Sequence, residues 1–166
     1  MPLPLARRDV ETGPRKGLTV STNAELYERD FYAWTQTTAA LIRAEKWYDL
    51  DREALAEEVE SLGKNQHREL GSRLDILVMH LLKWRSQPSE RSGSWRSTIR
   101  TQRRELRRLL QQNPSLHPLR ASVIADGYAD ARLEASDETG LPLATFPETC
   151  PWTAAQVLDA DFWPEG

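Results

Sequence analysis

Apolar residues recur with the period of an α-helix over the central part of the chain, from Leu50 to Trp84. Their spacing of three or four residues is that of one face of a helix with 3.6 residues per turn. The row consists of apolar residues and one polar residue that such a position tolerates, Gln66: Leu55, Val59, Leu62, Gln66, Leu70, Leu74, Leu77, Leu81 and Trp84. Asp51 is a residue type that caps helix N-termini, and Pro88 ends the helical pattern. The pattern therefore predicts one long amphipathic helix.

Further helices are predicted on both sides of the long one. Thr22 and Glu25 form a capping-box pattern ahead of a first helix at about 24–46. The remaining helices are a third from Ser94 to Asn113, a fourth from about Pro118 to Glu138 with Gly140 ending it, and a short one from Ala154 to Ala160. The segment 141–152 contains three prolines, which predicts an extended strap.

The elements together predict an all-α fold. We expect an irregular helical bundle of about four main helices plus a short C-terminal helix, with a proline-rich strap lying on it. Residues 1–21 are rich in proline and charge and lack a helical period, so a disordered arm is expected there. We expect residues 22–166 to form a single helical domain.

Gly63 and Gly71 lie inside the predicted long helix. Each costs about 1 kcal/mol relative to alanine in an exposed helix interior. Close approach of another helix would be one reason for a glycine at these positions.

Composition narrows the classes of function and location. The formal charge is −3 at pH 7, which is not the charge of a general polyanion binder. A single cysteine, Cys150, excludes an intramolecular disulfide and a cysteine-cluster metal site, and its apolar setting indicates a structural thiol. No apolar run approaches the roughly 20 residues that span a bilayer, and the first residues lack the apolar core of a signal peptide. We therefore expect a cytoplasmic protein that does not enter a membrane.

Positive charge is concentrated between Arg91 and Arg108, where seven arginines accompany one acidic residue, Glu105. Arginine binds phosphate through paired hydrogen bonds, and a neighbouring tryptophan can stack on bases. The first hypothesis is therefore a helical module that binds an anionic partner, either nucleic acid or an acidic protein surface. The residues of this expected surface are Arg96, Arg100, Arg103, Arg104 and Arg107 with Lys83 and Trp84.

An alternative for the same arginines is internal pairing. Four of them, Arg96, Arg100, Arg103 and Arg107, form a row beside the apolar residues of the third helix. This row would pair across a helix interface with the acidic first turns of the long helix, which contain Glu53, Glu57, Glu58 and Glu60.

A second hypothesis is a metal-independent ribonuclease. Arg73 and His80 are seven residues apart, which places both on one face of the long helix. Histidine would act as the base toward a ribose 2′-hydroxyl, while Arg73 and arginines of the third helix stabilise the phosphorane. Alternatively, His80 is a partly buried residue paired with a carboxylate such as Glu58 or Glu69. A third hypothesis is a structural protein or homo-oligomer, which would expose apolar surface on its first or last helix.

Metal and cofactor motifs are not found. No histidine has a glutamate three residues before it, which excludes the Glu-x-x-His pattern of di-iron bundles. The chain also lacks a Gly-rich phosphate loop, a nucleophile elbow and a His-Glu-x-x-His zinc motif. We expect no metal and no cofactor, and a binding module is favoured over an enzyme.

The order of several short segments resembles the bacterial family catalogued as domain of unknown function twenty-nine. The resemblance extends over residues 22–164 and rests on YERDFYAWTQ, LAEEVESLGK, HLLKWRSQP, SWRSTIRTQRREL, NPSL, ETGLP, FPETCPW and DFWP. It implies a small all-helical protein. It brings no activity, cofactor or catalytic residue to this chain.

Overall fold

A computed structural model describes residues 22–165 of the chain, which include six α-helices and no strand. The helices are α1 (Asn23–Arg29), α2 (Phe31–Arg43), α3 (Arg52–Ser86), α4 (Gly93–Gln112), α5 (Arg120–Thr139) and α6 (Ala154–Leu158). Short 3₁₀ helices lie at Trp47–Asp49, Pro88–Glu90, Pro114–Leu119 and Leu143–Thr145. The all-α prediction is confirmed. The arm expected at 1–21 lies outside the described residues.

Tertiary contacts divide the chain into two compact units, Met1–Glu58 and Val59–Gly166. The first contains α1, α2 and the beginning of α3, and the second contains the rest. The expectation of one domain over 22–166 stays a prediction. None of the helices within residues 22–165 is long and apolar enough to cross a bilayer.

In the first unit, the helix predicted at 24–46 is two helices that meet at Asp30. The backbone of Asp30 leaves the helical region at φ −153° and ψ 84°, and its carboxylate accepts the N–H of Ala33 at 2.9 Å. An aspartate that caps a new helix has ended the old one, and this competition was not visible in the apolar period. The capping box is confirmed, since Thr22 and Glu25 exchange both bonds, at 3.3 and 2.9 Å.

Aromatic rings and one buried amide hold the first unit together. The ring of Trp34 lies 5.0 Å from that of Tyr27, centroid to centroid. Asn23 is buried, donates to the hydroxyl of Thr38 at 2.9 Å and accepts the N–H of Asp51 at 3.0 Å. Asp51 in turn caps α3 by accepting the N–H of Ala54 at 3.1 Å, as predicted. One side chain therefore links three segments of this unit.

The core of the second unit forms around the C-terminal half of α3. Its most deeply buried side chains include Leu70, Leu74, Leu77, Leu81, Ile99, Leu106, Phe146 and Val157. Two members of the predicted apolar row, Val59 and Leu62, are exposed instead, at 61% and 65%. The expectation that they face inward is wrong, because a helical period identifies an apolar face but not which of its turns another element covers.

The other elements begin and end close to their predicted limits. The cap of α4 is Ser92, whose hydroxyl accepts the N–H of Trp95 at 3.2 Å, and not the predicted Ser94. Gly140 ends α5 in the left-handed conformation at φ 68°, where a glycine carries no steric cost. The strap is anchored on α5, because Arg132 donates to the carbonyls of Leu143 and Phe146 at 3.0 and 3.1 Å.

Candidate functional site

Helix α4 presents one apolar face and one arginine face. Its 20 residues include six arginines and a single acidic residue, Glu105. Ile99, Leu106 and Leu110 are buried, so the opposite side of the helix must face solvent. The arginines that are exposed there are Arg96, Arg100, Arg104, Arg107 and Arg108, which we call the α4 arginine face.

Four members of this face follow one another at intervals of four residues, from Arg96 to Arg108. An α-helix rises about 6 Å over four residues and turns slightly more than once, so their Cα atoms form a row with that repeat that winds around the helix by about 40° at each step. Glu105 pairs with Arg104 at 3.3 Å and with Arg108 at 2.6 Å. Both arginines remain more than 60% exposed, so these pairs are solvent-screened and weak.

The acidic residues expected to pair internally with this face lie mostly in the other unit. Glu60, the member of that group in the second unit, pairs with Lys64 at 3.3 Å. The internal pairing is therefore wrong for Glu60, which finds its partner one turn away on its own helix.

Arg103 does not belong to the exposed face. It is only 3% exposed, and it donates to the carbonyls of Val157 and Phe162 at 2.9 and 2.8 Å. Burial lowers the pKa of its guanidinium, with the nearby carboxylate of Asp159 opposing that effect. Position 103 lies one turn from Ile99 and so on the core side of α4. Its assignment to a binding surface is corrected, because its side chain holds the C-terminal segment instead.

Lys83 and Trp84 are also buried rather than available to a partner. The ammonium of Lys83 pairs with Glu138 and lies 4.5 Å from the ring centroid of Trp95. Trp84 is 6% exposed and packs against Trp163, with ring centroids 4.7 Å apart. Both residues lie on the inward face of α3, so neither is part of the expected binding surface. Trp84 is therefore not available to stack on a base.

Arg96 is the member of the α4 arginine face closest to this aromatic group. Its guanidinium lies 5.6 Å from the ring centroid of Trp84, and that of Arg91 lies at 5.1 Å. Arg91 also donates to the carbonyl of Trp84 at 2.8 Å. A cation over an indole ring is held in place by the ring quadrupole, so Arg96 is more restricted than Arg100.

His80 and Arg73 each have their own partners. Nδ1 of His80 lies 2.9 Å from the carbonyl oxygen of Ile76, an acceptor, so Nδ1 carries the proton and Nε2 is the acceptor nitrogen. Burial lowers the pKa of His80, which favours the neutral ring. Arg73 donates to Glu69 at 2.8 Å and reaches Gln102 at 3.4 Å.

This arrangement does not bring His80 and Arg73 together as the base and the phosphate-binding group of a ribonuclease. His80 has the neutral ring that a base requires, but the charge of Arg73 is already compensated by Glu69. The seven residues between them correspond to about 10 Å along the helix axis. The suggested pairing of His80 with Glu69 is wrong, since a backbone carbonyl takes that place.

A cavity of about 270 Å³ near the C-terminal end of α4 was not expected from the sequence. Arg103, Arg107, Gln111, His117 and Arg120 line it together with Leu110 and Leu158. A signal was available in Asn113 and Pro114, which end α4 and turn the chain back. Basic residues just after such a stop come to lie beside the last turn of the helix.

No group of three or more histidine, cysteine or acidic side chains within residues 22–165 could hold a metal ion. Cys150 is half-buried, and its thiol lies 3.5 Å from the carbonyl oxygen of Trp152. Burial raises the pKa of this thiol, which disfavours the nucleophilic thiolate.

Comparison with known proteins gives one match. No curated protein and no solved structure matches the chain. The model of the family described as Domain of unknown function DUF29 matches residues 26–163, which is most of the chain and nearly all of its described part. The chain belongs to this family of domains of unknown function.

Proposed function

We propose that this chain is a binding module for an anionic partner, and that the partner is nucleic acid. The observation that carries the proposal is the α4 arginine face, in which five exposed arginines share one helix with a single acidic residue. Such a concentration of guanidinium groups is unusual for a chain whose formal charge is −3. Two of the five are partly offset by Glu105, and Arg100 has no ion pair within residues 22–165.

The geometry of the face suits a linear polyanion. Four of its five arginines repeat about every 6 Å along a row that winds gradually around the helix, and each guanidinium can bind two phosphate oxygens. A protein that neutralises several phosphates releases their condensed counterions, which supplies most of the affinity in sequence-independent binding. The acidic surface of a protein would present carboxylates in a less regular array, so we favour a phosphate backbone.

The mode of binding follows from what the face lacks. Trp84 is buried and Trp95 lies under the ammonium of Lys83, so neither ring is free to stack on a base. Phosphate contacts fix position but carry no sequence information. We therefore expect sequence-independent binding, with a dissociation constant on the order of 10⁻⁴ to 10⁻⁶ M at physiological salt.

The test is fluorescence anisotropy of mixed-sequence RNA and DNA with protein purified free of nucleic acid, at low and at moderate salt. Arg100→Glu should abolish measurable binding at moderate salt and flatten the salt dependence by about one to two phosphate contacts. Arg68→Glu makes the same charge change at an exposed position of α3 and is the matched control. Arg100 and Arg68 are both exposed, so both variants should keep the unfolding midpoint.

Two results would overturn the proposal. One is wild-type protein that binds neither nucleic acid at low salt, in which case an acidic peptide becomes the ligand to try. The other is an equal loss of binding in Arg100→Glu and Arg68→Glu, which would reflect net charge and not this face. RNA length after incubation tests the ribonuclease hypothesis in the same samples, with His80→Ala as the variant.

We place the protein in the bacterial cytoplasm, where a chain with one cysteine is expected to remain reduced.

A further inference from the structure

The cavity at the end of α4 is lined by three arginines, two leucines, a histidine and a glutamine. Arg103 and Arg107 come from α4, His117 from the following 3₁₀ helix, and Arg120 from the first turn of α5. No carboxylate is among the lining residues. Three arginines converging on one concave space repel one another, and an anion bound there would relieve this repulsion.

Two of these arginines are accessible to a ligand, and the third is buried in the cavity wall. Arg107 is exposed and Arg120 is half-buried, so both can donate to a bound group. The Nε of Arg120 donates to the carbonyl of His117 at 2.7 Å, which leaves its terminal nitrogens to face a ligand. Arg103 is buried, and its Nη1 has no hydrogen-bond partner in the described part of the chain. One of its terminal nitrogens therefore lacks a hydrogen bond beside the cavity, although the carboxylate of Asp159 lies near the guanidinium.

The size and lining of the cavity indicate the class of anion. A volume of about 270 Å³ exceeds what a bare inorganic ion needs and lies at the lower limit of small-molecule sites. Leu110 and Leu158 supply apolar wall for an organic part. A phosphate monoester carries about 1.5 to 2 negative charges at neutral pH and offers three acceptor oxygens. That charge matches several arginines better than the single charge of a carboxylate does.

We propose that this cavity binds the phosphate group of a phosphate monoester, held by Arg107 and Arg120, with the buried Arg103 behind them and His117 also lining the site. The site shares Arg107 with the α4 arginine face, but its other lining residues lie outside that face. The monoester has two sources, a free small molecule or the terminal phosphate of a nucleic acid strand. Both present the same dianionic group with one organic substituent.

The first test is calorimetric titration of the full chain with phenyl phosphate, with phenol as the uncharged control. Gln111 lines the cavity and is exposed, so Gln111→Glu places a negative charge at the site without entering the core. It should weaken phenyl phosphate binding by about tenfold, or about 1.4 kcal/mol, because a carboxylate a few ångströms from the phosphate repels it. Gln112→Glu makes the same change one residue further along α4 and outside the lining. It should change binding by less than about twofold.

A second pair of variants removes positive charge instead. Arg120→Gln should weaken phenyl phosphate binding by about tenfold, whereas Arg100→Gln, which lies outside the cavity, should leave it unchanged. Failure of wild-type protein to bind phenyl phosphate at millimolar concentration would overturn the proposal. Equal effects of Gln111→Glu and Gln112→Glu would also overturn it, since binding would then follow net charge.

Oligonucleotides distinguish the two sources of the monoester. Tighter binding of a 5′-phosphorylated strand than of the same strand with a 5′-hydroxyl, lost in Gln111→Glu, would support the site with a strand end as its ligand. Equal binding of the two strands by a protein that binds phenyl phosphate would support it with a free small molecule. Arg100→Glu separates this proposal from the previous one, because it should remove nucleic acid binding along α4 and leave phenyl phosphate binding intact.

Discussion

The carboxylate of Asp75 in α3 lies directly against Gly127 in α5. A Cβ atom built at position 127 would be 2.0 Å from Oδ1 of Asp75, far inside van der Waals contact. Burial raises the pKa of Asp75, and the carboxylates of Asp130 and Glu134 raise it further. The two helices therefore meet at a point where one contributes a short acidic side chain and the other contributes none.

We predict that Gly127→Ala destabilises the protein although alanine is the better helix former. Removing a mid-helix glycine gains about 1 kcal/mol, but the new methyl group forces Asp75 to move, and overpacking of this kind costs about 1–3 kcal/mol. The net loss should be about 1 kcal/mol in the free energy of unfolding, measured by urea denaturation. Gly63→Ala is the control, because a Cβ there meets nothing within 4 Å. It should stabilise the protein by up to about 1 kcal/mol.

The clash between an alanine at position 127 and Asp75 can also be removed by truncating Asp75. In an Asp75→Ala background the obstacle is absent, so Gly127→Ala should become stabilising there and the two substitutions should be strongly non-additive. A loss of stability of the same size in both backgrounds would show that Asp75 is not what Gly127 accommodates.

These glycines show how far the sequence could predict the packing. Gly63 and Gly71 were considered as points of close helix approach. A Cβ atom built at Gly63 would meet nothing within 4 Å, and one built at Gly71 would make only an ordinary contact with Val123 at 3.7 Å. Gly127, which does permit a close approach, was not singled out. The spacing of a glycine on its own helix does not reveal what lies opposite, because that depends on the tertiary arrangement.

Helix termini were more predictable because their signals are local. The capping box of Thr22 and the left-handed Gly140 each satisfy backbone groups within a few residues, so the pattern and the structure agree. Asp30 was missed for a related reason. Its capping bond competes with continuation of the helix, and sequence alone does not decide that competition.

The candidate site was predicted as a region but not residue by residue. The excess of arginine on α4 was evident from composition, yet Arg103 is buried while its neighbour Arg104 is exposed. The difference is a rotation of about 100° around the helix axis, combined with two carbonyl groups from a segment more than 50 residues away. An arginine beside a core row can face either environment until its distant partners are known.

Arg103 leads to a second prediction. Its planar fork donates to Val157 and Phe162 from two separate nitrogens, and the single nitrogen of an ammonium lacks that fixed spacing. Arg103→Lys should therefore lower the free energy of unfolding by about 2–4 kcal/mol and speed amide hydrogen exchange over residues 157–164. Arg104→Lys, at an exposed position, should change stability by less than about 0.5 kcal/mol. Unchanged exchange in Arg103→Lys would mean that the C-terminal segment is held by its apolar contacts alone.

The pair of Lys83 and Glu138 predicts an asymmetry between two substitutions. The side chain of Lys83 is 5% exposed, whereas that of Glu138 is 49% exposed. Glu138→Gln leaves a buried ammonium without its counter-charge and should cost about 1–3 kcal/mol, a value reduced by the access of water to position 138. Lys83→Met removes the buried charge and leaves a carboxylate that water can solvate, so it should cost less than about 1 kcal/mol. Thermal unfolding of both variants measures the difference, and equal losses would contradict an asymmetric pair.

His80 should make stability depend on pH just below neutrality. Burial lowers its pKa below the ordinary value of 6.5, and the charge of Lys83 acts in the same direction, while the bond to Ile76 and the charge of Glu138 oppose it. The unfolded chain therefore binds more protons at this site than the folded chain does. Its contribution to stability is fully present above pH 6.5 and is lost as the pH falls from there through the lowered folded-state pKa.

The variant for this prediction is His80→Gln, which keeps a polar side chain able to donate to the carbonyl of Ile76. The free energy of unfolding of the wild type should fall more steeply than that of His80→Gln as the pH is lowered from neutrality. The difference in slope has an upper limit of about 1.4 kcal/mol per pH unit, the value for one proton. His67→Gln is the control, because His67 is exposed on the same helix and should behave like the wild type. Parallel pH profiles for the wild type and His80→Gln would mean that this ring titrates alike in both states, and that burial on α3 does not hold it neutral.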